Sequence, residues 1–127
     1  MAKILVVDDD ANVQRTLRYN LEQEGYQVIQ ATDGAEGFRL WGSEAPDLIL
    51  LDVMLPKLDG YRVCRLLKFD KSYRDIPIVM LTAKAEDAAV ATGLRTGADQ
   101  YLTKPVEPDT LLSAVAAELS RARSEQP

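Results

Sequence analysis

Apolar residues fall into five short runs along the chain: KILVV (3–7), YQVIQA (26–31), DLILLD (47–52), IPIVMLT (76–82) and DQYLTK (99–104). The central ones are apolar at successive positions rather than at every second one. That pattern suits strands covered on both faces, as in a parallel sheet, because an exposed face would alternate with polar residues. Between the runs the period lengthens. Val13, Leu17 and Leu21 are spaced four apart and predict a first helix, which Gly25 is placed to end as a left-handed cap. Phe38 and Trp41 predict a second helix before Pro46, and Val63, Cys64 and Leu67 a third. A fourth, over roughly 86–96, is alanine-rich and weakly apolar, which predicts a loosely held element. The fifth begins near Pro108 and carries Leu111, Leu112, Val115 and Leu119. Five strand–helix units in alternation predict an α/β fold: a right-handed, doubly wound parallel sheet with helices on both faces.

The chain has 127 residues, a length that predicts one domain over 1–127. With 46% hydrophobic and 28% charged residues, and no apolar run approaching about 18, it reads as soluble and not membrane-bound. The run after Lys3 ends at Asp8, too soon for the core of a signal peptide. A single cysteine, Cys64, excludes an internal disulfide, sits among apolar neighbours where burial is expected, and fits the cytoplasm. A net charge of −5 argues against direct nucleic-acid binding, and Arg121 with Arg123 reads as a solvated helix end. Histidine is absent. That excludes Ser-His-Asp and Cys-His triads, imidazole zinc sites and a phosphohistidine on this chain.

The first run raises a question of charge, because ILVV passes directly into Asp8, Asp9 and Asp10. In doubly wound sheets, sites form beyond the carboxyl ends of the strands. The third run ends in Asp52, the fourth in Thr82 and the fifth in Lys104, so all of these project from one edge. If the first and third strands are neighbours, carboxylates about 4 Å apart repel by roughly 4 kcal/mol at an effective dielectric near 20. Such a cluster calls for a cation. With only hard oxygen donors on offer, the expected ion is Mg²⁺, for which Mn²⁺ substitutes. A carboxylate flanked by a divalent ion, an ammonium and a hydroxyl describes phosphoryl transfer to aspartate.

The motifs VVDDD (6–10), LILLDVMLPKLDG (48–60), VMLTA (79–83) and GADQYLTKP (97–105), in this order and spacing, resemble the receiver domain of bacterial two-component response regulators. The resemblance covers residues 3–122 and implies a flavodoxin-like sheet of order 2-1-3-4-5. It implies that Asp52 is the phosphoacceptor. Asp9 and Asp52 would ligate Mg²⁺, Asp8 would act mainly through a metal-bound water, and the Met54 carbonyl would complete the protein ligands. Lys104 would pair with the acidic cluster and then with the phosphoryl group, and the peptide between Lys104 and Pro105 would be cis. Thr82 and Tyr101 would form a switch that remodels the face made by the fourth helix, fifth strand and fifth helix. Met54 and Lys84, two residues beyond Asp52 and Thr82, hold positions that in this family tune hydrolysis of the acyl phosphate. Neither is a base for activating water, so a phosphorylated state outlasting seconds is expected.

The implied partners are a histidine kinase or phosphotransfer protein and a downstream effector or an output domain of its own, with homodimerisation on phosphorylation as one mode of response. The chain would not be an enzyme beyond its own phosphorylation and dephosphorylation. The rival reading is a Mg²⁺-dependent phosphohydrolase with an aspartyl nucleophile. Such enzymes carry a second acid two residues after the nucleophile, where Met54 stands here. A nucleotide-binding module is excluded, since neither G-x-G-x-x-G nor G-x-x-x-x-G-K occurs. Asp10 suits either the acidic pocket or the N-terminus of the first helix, and Asp59 with Gly60 reads as a turn feeding the third helix.

Overall fold

A computed structural model describes residues 1–53, 60–71, 75–83 and 98–125. Strands β1 (Lys3–Val7), β2 (Gln27–Ala31), β3 (Leu48–Asp52), β4 (Ile78–Thr82) and β5 (Gln100–Thr103) form one sheet of order β2-β1-β3-β4-β5, every pairing parallel. Helices α1 (Ala11–Gln23), α2 (Gly34–Glu44) and α3 (Gly60–Phe69) follow the first three strands, and a C-terminal helix spans Pro108–Glu125. The expected helix over 86–96 lies outside the described residues, as do Met54, Asp59 and Lys84.

Why the apolar runs do not alternate is visible in the core. Successive side chains of a strand point to opposite faces, and here both faces are covered. Ile4, Val6, Leu48, Leu50, Val79 and Leu81 point to one side and pack with Leu17 and Leu21 of α1 and Leu111 and Val115 of the C-terminal helix. Leu5, Val7, Ile49, Leu51, Ile78 and Met80 point to the other, where Trp41 of α2 and Val63, Cys64 and Leu67 of α3 meet them. Cys64 is fully buried, as its neighbours predict. Each such aliphatic side chain contributes about 1.5–3 kcal/mol by leaving water.

Local chemistry sets the helix ends. Asp10 caps α1, its Oδ1 accepting from the N–H groups of Asn12 and Val13, and Asp33 caps α2 by accepting from Glu36 N–H. Gly25 follows α1 at φ 88°, the left-handed conformation that glycine adopts without strain. At the end of α2 the same region is occupied by Ala45, at φ 46°, whose N–H donates to the Trp41 carbonyl just before Pro46.

A second anchoring point lies at the amino edge of the sheet. The Asp99 carboxylate accepts from Ile78 N–H at 2.8 Å, from Nζ of Lys68 at 2.8 Å and from Arg121 at 2.6 Å. Arg121 also binds Glu118, a buried carboxylate whose other oxygen accepts from Gln100. One aspartate therefore joins α3, the start of β4, the approach to β5 and the C-terminal helix.

Candidate functional site: an acidic pocket at the strand tips

The order β2-β1-β3-β4-β5 places β1 beside β3 and β3 beside β4, so the carboxyl ends of β1, β3, β4 and β5 open on one edge. In register, Val7 pairs with Leu51, Asp52 with Leu81 and Thr82 with Thr103. The residues just beyond these rungs converge.

Asp8 has no solvent exposure and Asp52 only 4%. Asp9 is exposed at the mouth. One carboxylate oxygen from each of Asp8, Asp9 and Asp52 lies within 4.8 Å of the other two. Nζ of Lys104 reaches in from the end of β5, 2.7 Å from Oδ2 of Asp8 and 3.3 Å from Oδ2 of Asp52. The other oxygen of Asp8 accepts the Asp10 N–H at 2.9 Å. Asp10 thus serves two ends, capping α1 with its side chain and bracing Asp8 with its backbone. The peptide between Lys104 and Pro105 is cis.

Among the described residues the electrostatics are unbalanced, since three carboxylates converge and one ammonium, shared by Asp8 and Asp52, answers them. Burial by itself lowers the Lys104 pKa. The hydrogen bond to Asp8, the charges of Asp52 and Asp8 and the contact with Asp52 together outweigh burial, so the ammonium is held above the ordinary lysine value. Lys104 therefore stays charged wherever the protein is folded near neutrality.

The donor set fits a hard divalent cation. Every group is oxygen, the two buried carboxylates are fixed by their strands, and the third is open to water. Mg²⁺ takes such a partial protein shell and keeps several waters. Thr82, at the end of β4, is fully buried, and Tyr101 on β5 is half-buried against the cluster that holds Trp41. Of the residues singled out from the sequence, Asp8, Asp9, Asp52 and Lys104 are brought together, Thr82 and Tyr101 sit on the adjoining strands, and Met54 is outside the described residues. The hydrophobic pattern passed over Gln14, whose amide reaches the Asp8 carbonyl at 2.9 Å. Its signal was a polar residue in the stripe of Leu17 and Leu21, three and seven positions on.

The family model for the response regulator receiver domain matches residues 4–116. The chain belongs to that family. Among relatives, the receiver domain is 50% identical over 125 residues to the alkaline phosphatase synthesis transcriptional regulatory protein PhoP of Bacillus subtilis strain 168, covering 98% of this chain and 51% of the relative. It is 46% identical over 121 residues to the DNA-binding dual master transcriptional regulator RpaA of Synechocystis, covering 95% of this chain and 50% of the relative. The chain spans about half the length of the curated relatives it matches. Among solved structures, it superposes on the signal receiver domain of a signal transduction histidine kinase from Syntrophus aciditrophicus with a TM-score of 0.90 at 36% identity, covering 99% and 96% of the two chains. A CheY-like receiver domain protein from Methanospirillum hungatei gives 0.89 at 31% identity, with 99% of each chain covered.

Proposed function

We propose that residues 1–127 form one receiver unit that accepts a phosphoryl group on Asp52 from a histidine kinase or phosphotransfer protein in a two-component system. The observation that carries this reading is the nearly buried Asp52 carboxylate, at the end of β3, sharing Lys104 with Asp8 and facing Asp9. An Asp52 oxygen attacks phosphorus, the bond from phosphorus to the donor imidazole nitrogen breaks, and the nitrogen leaves with the electron pair. Asp8, Asp9 and Asp52, with the Met54 carbonyl, would hold Mg²⁺, which supplies charge neutralisation for the incoming phosphoryl oxygens. Lys104 follows the anion as a mobile point charge.

The Thr82 hydroxyl would then hydrogen-bond a phosphoryl oxygen, and Tyr101 would shift inward, altering the face that the family resemblance assigns to the fourth helix, which lies outside the described residues, with β5 and the C-terminal helix. The output of that change is an effector or an attached domain, the latter supported by the transcriptional regulators of twice this length among the relatives. Homodimerisation through the same face would be one mode of response. The receiver domain, with a net charge of −5, would not itself bind DNA, and it would act in the cytoplasm. Among the described residues no helix is long and apolar enough to cross a membrane.

Incubation with phosphoramidate and Mg²⁺ tests this directly. Mass spectrometry is expected to find one phosphoryl group per chain, on Asp52, absent in Asp52→Asn, and persisting beyond seconds. Multiple turnover of a generic phosphoester would instead support the phosphohydrolase.

A further inference from the structure

Gln14 is 5% exposed, on the side of α1 that faces the sheet. Its Nε2 lies 2.8 Å from the Ala31 carbonyl, 2.9 Å from that of Asp8 and 3.2 Å from that of Val6. Its Oε1 accepts from Nε2 of Gln30 at 3.1 Å, and Gln30 in turn accepts from Arg18 at 3.1 Å. The amide has one workable orientation, since the opposite one would face an oxygen with three carbonyl oxygens. With two N–H bonds to give, the shorter contacts to Ala31 and Asp8 take them.

Those two carbonyls stand at neighbouring strand ends, Ala31 closing β2 and Asp8 following β1. The Ala31 carbonyl also accepts Asp8 N–H at 3.1 Å, the last rung joining β1 to β2. The Asp8 carbonyl belongs to the planar peptide that leads into Asp9, so fixing its oxygen fixes the direction in which Asp9 departs. Asp9 is exposed and gains little orientation from packing, which leaves its backbone to aim the carboxylate. An apolar residue would cover the sheet equally well at this position, without the several kcal/mol that an amide risks on burial if its bonds are imperfect.

We propose that Gln14 is a positioning residue for the cation site, gripping the peptide between Asp8 and Asp9 so that both carboxylates stand ready toward Asp52 before any ion arrives. This rests on the reading of the acidic pocket as a Mg²⁺-dependent phosphoacceptor site. Partners that hold metal ligands in place from outside commonly change affinity 10- to 100-fold when removed.

Isothermal titration with MgCl₂, in the absence of any phosphodonor, compares the unmodified protein with Gln14→Met, which keeps length and loses the donor. Mg²⁺ affinity is expected to fall about tenfold, and the phosphoramidate labelling rate to recover largely at saturating Mg²⁺. A lowered unfolding midpoint with unchanged Mg²⁺ affinity would overturn the proposal, because a merely structural amide moves only the first. Gln30→Ala leaves the Gln14 donors in place and unties its oxygen, so a smaller fall in the same direction is expected. Should Gln14→Met fail to fold, unchanged affinity in Gln30→Ala overturns the proposal alone. If the unmodified protein neither binds Mg²⁺ nor takes label, the phosphoacceptor reading fails; if it does both and the variants match it, only the role of Gln14 fails.

Discussion

The backbone N–H of Lys104 donates to the carbonyl of Thr82 at 2.7 Å, tying the tip of β5 to the tip of β4. The ammonium and the hydroxyl assigned to the phosphoryl group therefore leave from chain segments that share a hydrogen bond. Thr82→Val retains the branched shape and removes the hydroxyl. The variant is expected to take label on Asp52 yet lose the shift of Tyr101 resonances that beryllofluoride induces in the unmodified protein, whereas Thr82→Ser keeps it. NMR spectra of the three proteins with and without beryllofluoride decide the matter, and a full response in Thr82→Val would remove the hydroxyl from the switch.

Removing the ammonium exposes the cost of the acidic cluster. In Lys104→Ala, Asp8 loses its 2.7 Å partner while fully buried, and Asp52 loses its own. Breaking such a pair from one side costs about 3 kcal/mol or more. Urea unfolding without Mg²⁺ should show that loss, and added Mg²⁺ should restore a large part by binding only the folded form. The pH dependence follows from the raised Lys104 pKa. Its contribution to stability is fully present below the ordinary lysine value of 10.5 and is lost as pH rises through the higher folded value. Metal-free protein should therefore weaken in alkali more steeply than Lys104→Ala.

α2 lies so close to β1 that a methyl group at Gly37 would stand 3.1 Å from Cγ2 and 3.3 Å from Cγ1 of Val7. Val7 is buried and β-branched, with little freedom to turn aside. Alanine gains about 1 kcal/mol in helix propensity, but overpacking a tight contact costs about 1–3 kcal/mol. Gly37→Ala is expected to lower the thermal midpoint, and Val7→Ala in the same chain to cancel much of the clash. A plain gain in stability from Gly37→Ala would show that the two elements separate freely.

Asp99 and Arg121 share a 2.6 Å ion pair but should differ sharply on substitution. Asp99→Ala strands a strand-end N–H and takes the carboxylate from Lys68, whose ammonium keeps the Ile76 carbonyl at 3.1 Å, and a loss of about 2–3 kcal/mol is expected. Arg121 is exposed, and its removal leaves Asp99 with Lys68 and the buried Glu118 with Gln100, so Arg121→Ala should cost less, about 1 kcal/mol. Denaturant titrations of the two variants, read side by side, test whether the clamp rests on its carboxylate.

Much of this architecture could be read from the chain because β1, β3 and β4 are buried on both sides and leave unbroken apolar runs. Strand limits were less legible. Pro77 has no N–H to give the ladder, so β4 begins at Ile78, and Asp47 and Asp99 spend their hydrogen bonds as end pieces, on Lys3 and Ile78. At the pocket, Asp8, Asp9, Asp52 and Lys104 were visible as charges ending apolar runs. Gln14 and Asp99 were not, since their meaning lies in partners brought close by folding: Asp8 and Ala31 for one, Lys68 and Arg121 for the other. Ala45 gave no sign of a left-handed backbone beyond the proline that follows it.

Trp41 is the sole tryptophan of the chain, and it is buried in the apolar cluster against which Tyr101 packs. α2 packs on β1 and β2, and β5 is the far edge of the sheet, so the indole stands away from the tyrosine. Its emission in unlabelled material would therefore gauge unfolding of the β1–β2 side, and a phosphodonor should leave it nearly unchanged.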